Sequence, residues 1–82
     1  MKIYNFLILG EQEQYQSVWD QGTHIDDIIR DRIHYQLYAV GDFYVEVYYN
    51  VSDNKIVGKQ AFKAGEPLEK YLRQWPPFDT IR

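Results

Sequence analysis

The longest run of alternating side chains lies in "GDFYVEVYYNVSDNKIVGKQAF", residues 41–62. Successive strand residues point to opposite faces, so Phe43, Val45, Val47 and Tyr49 share one side and Tyr44, Glu46, Tyr48 and Asn50 the other. With "HYQLYAV" before it, the pattern predicts an antiparallel three-stranded meander over residues 33–62. Its turns fall at Gly41-Asp42 and Ser52-Asp53-Asn54. "KIYNFLIL" is apolar on both faces and suits a fourth, N-terminal strand.

Helical spacing appears in three other places. In "EQEQYQSVWDQG", Tyr15, Val18 and Trp19 fall at i, i+3 and i+4, and Gly22 can end the helix; a strand is the alternative, because Tyr15, Ser17 and Trp19 also alternate. In "THIDDIIRDRI", Thr23 and Asp26 resemble a capping box, and Ile25, Ile28, Ile29 and Ile33 form a stripe that predicts a short helix. In "GEPLEKYLRQWPP", Pro67 sits in the first turn and Leu68, Tyr71, Leu72 and Trp75 make one face. Pro76-Pro77 stops that helix, leaving residues 76–82 as an extended tail or a segment folded back through Phe78 and Ile81.

The expected fold is therefore α+β: an antiparallel sheet of three to four strands (the 33–62 meander plus the N-terminal strand) packed by one face on two to three short helices. All 82 residues make a single domain. The expected core is Phe6, Ile8, Trp19, Ile29, Leu37, Phe43, Val45, Val47, Phe62, Leu68, Leu72 and Trp75. Pairing across Asp53-Asn54 is expected to set Val51 opposite Ile56 and Val45 opposite Phe62. Burying the more apolar set Ile33, Tyr35, Leu37 and Ala39 beside Phe43 requires a bulge or three-residue loop at Val40-Gly41-Asp42.

That register leaves one polar, aromatic sheet face, and it is where recognition is expected. Its members are His34, Tyr38, Tyr44, Glu46, Tyr48 and Lys59, with Gln36 among them. Tyrosine offers rigid contact area with a hydrogen-bonding tip, which suits a protein partner or a homodimer better than a small-molecule ligand. The same tyrosines also satisfy strand propensity on a solvated face. A diagonal ion pair with Lys59 accounts for Glu46 more simply than acid-base work does.

Composition narrows the function. Net charge is −3, and the basic residues form no run, so neither nucleic acid nor an anionic membrane is an expected partner. Cysteine is absent, which excludes disulfides and thiolate chemistry and fits a reducing, cytoplasmic setting. The start "MKIYNFLILG" resembles the front of a signal peptide but lacks a small-residue cleavage site. No segment reaches the roughly 20 apolar residues of a membrane span.

"LYAVGDFYVEVYYN", the isoleucine strand, "AF" and the closing "LEKYL" helix resemble small uncharacterised bacterial α+β proteins over about the last 45 residues. The resemblance implies the fold and carries no activity.

A second constellation is His24, Asp27, Asp31 and His34. On a continuous helix these positions share an arc of roughly 80°, and imidazole with carboxylate could ligate zinc. The motif is common on solvated helix faces, so no metal or cofactor is expected. No nucleophile elbow or phosphate loop is present. The favoured function is a non-enzymatic interaction or self-associating module. The rivals are a metal-dependent or acid-base enzyme using those four residues or Glu46, and an acidic inhibitor or immunity-type protein.

Overall fold

The computed structural model describes residues 1–74. The elements are α1 (Ile3–Leu7), α2 (Glu11–Gln21), β1 (Thr23–Arg30), β2 (Ile33–Val40), β3 (Phe43–Asn50), β4 (Ile56–Phe62) and α3 (Glu66–Gln74). The strands form one antiparallel meander in the order β1-β2-β3-β4. The α+β class, the four-stranded antiparallel sheet and the three short helices agree with the sequence pattern. Trp75 and the 76–82 tail lie outside the described residues.

The fourth strand is not the expected one. Residues 3–7 are a helix, and the isoleucine-rich segment after Thr23 is the strand. Its isoleucines are β-branched and mediocre helix formers, so pairing with β2 outweighs the helical spacing. The β1-β2 turn is Asp31-Arg32, with φ of 53° and 67°. Both central residues of a type I′ turn need positive φ, and Asp and Arg reach it here with no glycine to announce the turn. A bulge at Ile25 then turns Asp26 toward the side of Leu37 and Asp27 toward the side of Gln36.

The β2-β3 connection corrects the expected register. Val40 pairs directly with Phe43, so the turn is a two-residue Gly41-Asp42 loop with no bulge. Gly41 alone carries positive φ (59°), as a type II′ turn requires. His34, Gln36, Tyr38 and Val40 therefore join Phe43, Val45, Val47 and Tyr49 on one face, which we call face A. Ile33, Tyr35, Leu37 and Ala39 join Tyr44, Glu46 and Tyr48 on the other, face B. A bulge in β4 puts Phe62 opposite Tyr44 on face B, and Ala61, Lys59 and Ile56 on face A.

Helices lie on both faces, and this is why burial did not select the expected register. On face A, Phe6 and Val18 pack with Val40, Phe43, Val45 and Val47. On face B, Tyr71 packs with Ile28, Leu37 and Phe62, and Leu68 lies against them. Of the expected core, Ile8, Trp19, Ile29 and Leu72 are exposed instead. Helix α1 is tied down by Phe6, whose carbonyl oxygen accepts from Gln14 Nε2 of α2 at 3.0 Å.

A Cβ at Gly41 would collide with the Met1 carbonyl oxygen as well as resist the positive φ. Gly41→Ala is expected to cost roughly 1–3 kcal/mol. Urea unfolding checks this as a lower midpoint with an unchanged slope.

Candidate functional site

The residues expected to share one recognition face divide between two. Tyr44, Glu46 and Tyr48 lie on face B; His34, Tyr38 and Lys59 lie on face A.

Face B is closed around Glu46. Its side chain points under α3 and is only 1% exposed. Tyr71 donates its hydroxyl proton to Glu46 Oε2 at 2.7 Å, and the Lys70 ammonium lies 2.5 Å from the same oxygen. The Lys70 ammonium also sits 4.8 Å from the centre of the Tyr35 ring. The expected Glu46–Lys59 pair is absent, because Lys59 opposes Val47 on the far side of the sheet. Tyr48 donates to Gln60 Oε1 at 2.8 Å and meets Tyr35 edge-on, and Tyr44 stacks on Phe62. Every buried side-chain polar atom among the described residues has a partner. The carboxylate is thus committed to holding α3.

Burial, the hydrogen bond to Glu46 and that residue's charge all hold the Tyr71 phenol far above its ordinary pKa. Burial and the Glu46 charge do the same for Tyr48.

Face A is covered only in part. Lys59 of β4 lies over the Tyr15 ring at 4.4 Å, and Trp19 meets Tyr38 of β2 edge-on at 5.6 Å. Helix α2 therefore crosses the strands, from β4 toward β1. Beside it runs a row that crosses all four strands: Ile29, His34, Tyr49 and Ile56. Ile29 is 67% exposed and Ile56 42% exposed, while His34 and Tyr49 are half-buried with their rings 6.1 Å apart. Tyr15 and Trp19, stacked at 6.3 Å, stand along one side of this row. Burial raises the pKa of Tyr49; burial, reinforced by neighbouring charges, raises those of Tyr15 and Tyr38.

Asp27 belongs to the next row, between two imidazoles. Its Oδ2 lies 3.3 Å from His34 Nε2 and 3.9 Å from His24 Nε2. His24 pairs with Tyr38 and His34 with Ile29, so the two rings reach Asp27 from rows on either side of it. Asp31 sits in the turn. Among the described residues no group of three or more such side chains is arranged to hold a metal ion. A cavity of 230 Å³ opens beside the β2-β3 turn, lined by Ala39, Gly41, Asp42, Phe43 and Tyr44. Asp42, its one charged lining residue, is already paired with Lys63 at 3.5 Å.

Of the residues expected on the recognition face, His34 lies in this row, beside Ile29, Tyr49 and Ile56, which were expected on the core side. Comparison of the chain with protein-family models, curated proteins and solved structures finds no match. No helix among the described residues is long and apolar enough to cross a membrane.

Tyr71→Phe removes one hydrogen bond to a buried carboxylate and is expected to cost roughly 1.5–3 kcal/mol, read from the urea midpoint. Raised phenol pKa values also set an alkaline limit. The folded chain holds these protons more tightly than the unfolded chain does. Their contribution is therefore full below a pH of about 10 and is lost as the pH rises above it. Tryptophan fluorescence against pH should show stability falling above that point, less steeply in Tyr71→Phe.

Proposed function

We propose that this chain is a small, non-enzymatic interaction module of the cytoplasm. It docks a protein surface through the row Ile29, His34, Tyr49 and Ile56, flanked by Tyr15 and Trp19. The observation that carries the reading is the exposure of Ile29, at 67%, in a row without carboxylate, ammonium or guanidinium that α2 leaves open. Interface centres are poor in charge and rich in aromatic anchors, and a flat sheet face presents such anchors without ordering cost. An open sheet face suits a macromolecule better than a small ligand, which needs a concave site. The absence of cysteine supports the cytoplasmic assignment. Commitment of Glu46 to Lys70 and Tyr71 removes the best-placed carboxylate from acid-base work.

Selection of binding peptides from a displayed random library tests the reading. Selected peptides should lose at least roughly tenfold in affinity with Ile29→Asp or Tyr49→Ala, the loss expected at interface hot spots. Tyr44→Ala, on the other face, should leave them unaffected. A library that yields no binder, or binders indifferent to Ile29→Asp, would count against the docking surface.

A further inference from the structure

We infer that the outer edge of β4 is a strand-addition site, where an extended acidic segment of a partner protein pairs its backbone with Lys59 and Ala61. This site uses the sheet edge instead of the face A row, and neither reading depends on the other.

Hydrogen-bond directions along β3 identify the open groups. A residue in an antiparallel strand turns its N–H and C=O toward one neighbour, and the next residue turns them toward the other. The Asn50 N–H donates to the Lys55 carbonyl oxygen at 2.8 Å, on the β4 side. Tyr48, Glu46 and Tyr44 therefore also face β4, and their partners Gly58, Gln60 and Phe62 face back. The two-residue β2-β3 turn agrees, since it bonds Val40 to Phe43 and so turns Phe43, Val45 and Val47 toward β2. Lys59 and Ala61 thus direct their N–H and C=O outward. Strand β4 ends the sheet, and among the described residues no turn, loop or cap bonds to either backbone. An antiparallel strand laid alongside exchanges two bonds with each.

The other edge resists such addition. The Asp31-Arg32 turn bonds Arg30 to Ile33, so Ile28 faces β2 while Ile29 and Asp27 face outward. The Asp27 N–H is already taken by Asp26 Oδ1 at 2.8 Å, and the bulge at Ile25 breaks the ladder beyond it. Bulges and charged side chains are how edge strands avoid pairing. On β4 the bulge falls at Val57, which leaves Gly58 to Phe62 regular.

Charge selects the partner. The chain has a net charge of −3, yet residues 55–63 hold three lysines and no acid. Lys63 pairs with Asp42, and Lys55 closely follows Asp53 in the turn, so the selection falls on Lys59. Its ammonium rests on the Tyr15 ring, which leaves the charge in place, and among the described residues it is in no ion pair. An incoming residue bonded to Lys59 points to the same face, so a carboxylate there completes a cross-strand pair. A second copy of β4 suits the edge less well. Centred on Lys59 it opposes like charges, and centred on Gln60 it places a Val57 bulge at each end.

Octapeptides selected from a random displayed library on the Ile29→Asp chain test the edge with the face A row disabled. The expected binders are rich in aspartate and glutamate, although the chain's net charge alone would repel them. Ala61→Pro removes an outward donor and should weaken them at least roughly tenfold. Lys59→Glu should weaken them about fivefold, and a glutamate-to-lysine change in the peptide should restore binding to that variant. Circular dichroism checks that both variants fold. Amide exchange gives a readout that needs no substitution. Lys59 and Ala61 should exchange faster than Gln60 and Phe62 in the free chain, and at least roughly tenfold more slowly once peptide saturates it. If Ala61→Pro does not fold, Lys59→Glu and exchange decide. A library without acidic binders, binders indifferent to folded Ala61→Pro or to Lys59→Glu, or Lys59 and Ala61 amides already protected in the free chain overturns the inference, whatever the face A tests return.

Discussion

Strand β3 is buried on both faces, and the rest of the molecule is arranged around that constraint. Phe43, Val45 and Val47 on one side need an apolar cover, which Phe6 and Val18 supply. Glu46 on the other side needs something different. A buried carboxylate left without partners costs several kcal/mol, so its cover must bring a cation and a donor. Helix α3 brings both in adjacent residues, Lys70 and Tyr71. The helix is amphipathic in an unusual sense, since part of its inward face is polar and matched to one oxygen atom. An apolar residue at position 46 would accept many helices in many registers, whereas the carboxylate accepts a helix only where lysine and tyrosine reach it.

Closing face B in this way removes Glu46 from the surface. The tyrosines around Glu46 look from the sequence like a recognition surface, yet Tyr44 stacks on Phe62 and Tyr48 is tied to Gln60. Their hydroxyl-bearing rings serve as a semi-polar lining for the α3 contact. Face A carries fewer tyrosines on β3, and α2 crosses the strands there with Trp19 against Tyr38. Openness follows from how the helices lie and has little to do with which face is richer in aromatic residues.

Much of the fold was legible in the residues. The alternation from Phe43 to Asn50 gave β3 and its two faces, and Leu68, Tyr71 and Leu72 gave α3. What was not legible had two physical causes. Asp31-Arg32 makes a tight turn without glycine or asparagine, so the β1-β2 hairpin carried no signal and Ile25, Ile28 and Ile29 read equally well as a helix. The register at Gly41-Asp42 was argued from the assumption that a sheet buries one face. With helices on both faces, the hydrophobic pattern of β2 fits either register, and the turn geometry settles it. The candidate site inherited that error: His34, Tyr38 and Lys59 were assigned to a face with Glu46, when all three look the other way.

The uncovered row follows from simple dimensions. Eight-residue strands are about 27 Å long at 3.4 Å per residue. Helix α2, with 11 residues, reaches about 16 Å and so spans the strands from edge to edge. Its width, however, is only about 10–12 Å, and α1 adds a single short turn-and-a-half beside it. Two such helices laid across the strands leave a few residues of each strand bare at one end. That end is where Ile29, His34, Tyr49 and Ile56 lie. Among the described residues, long strands and short helices leave part of the sheet uncovered. Two isoleucines at the ends of that row, where lysine or glutamate would keep the face wetted, turn an accident of length into a surface suited to contact.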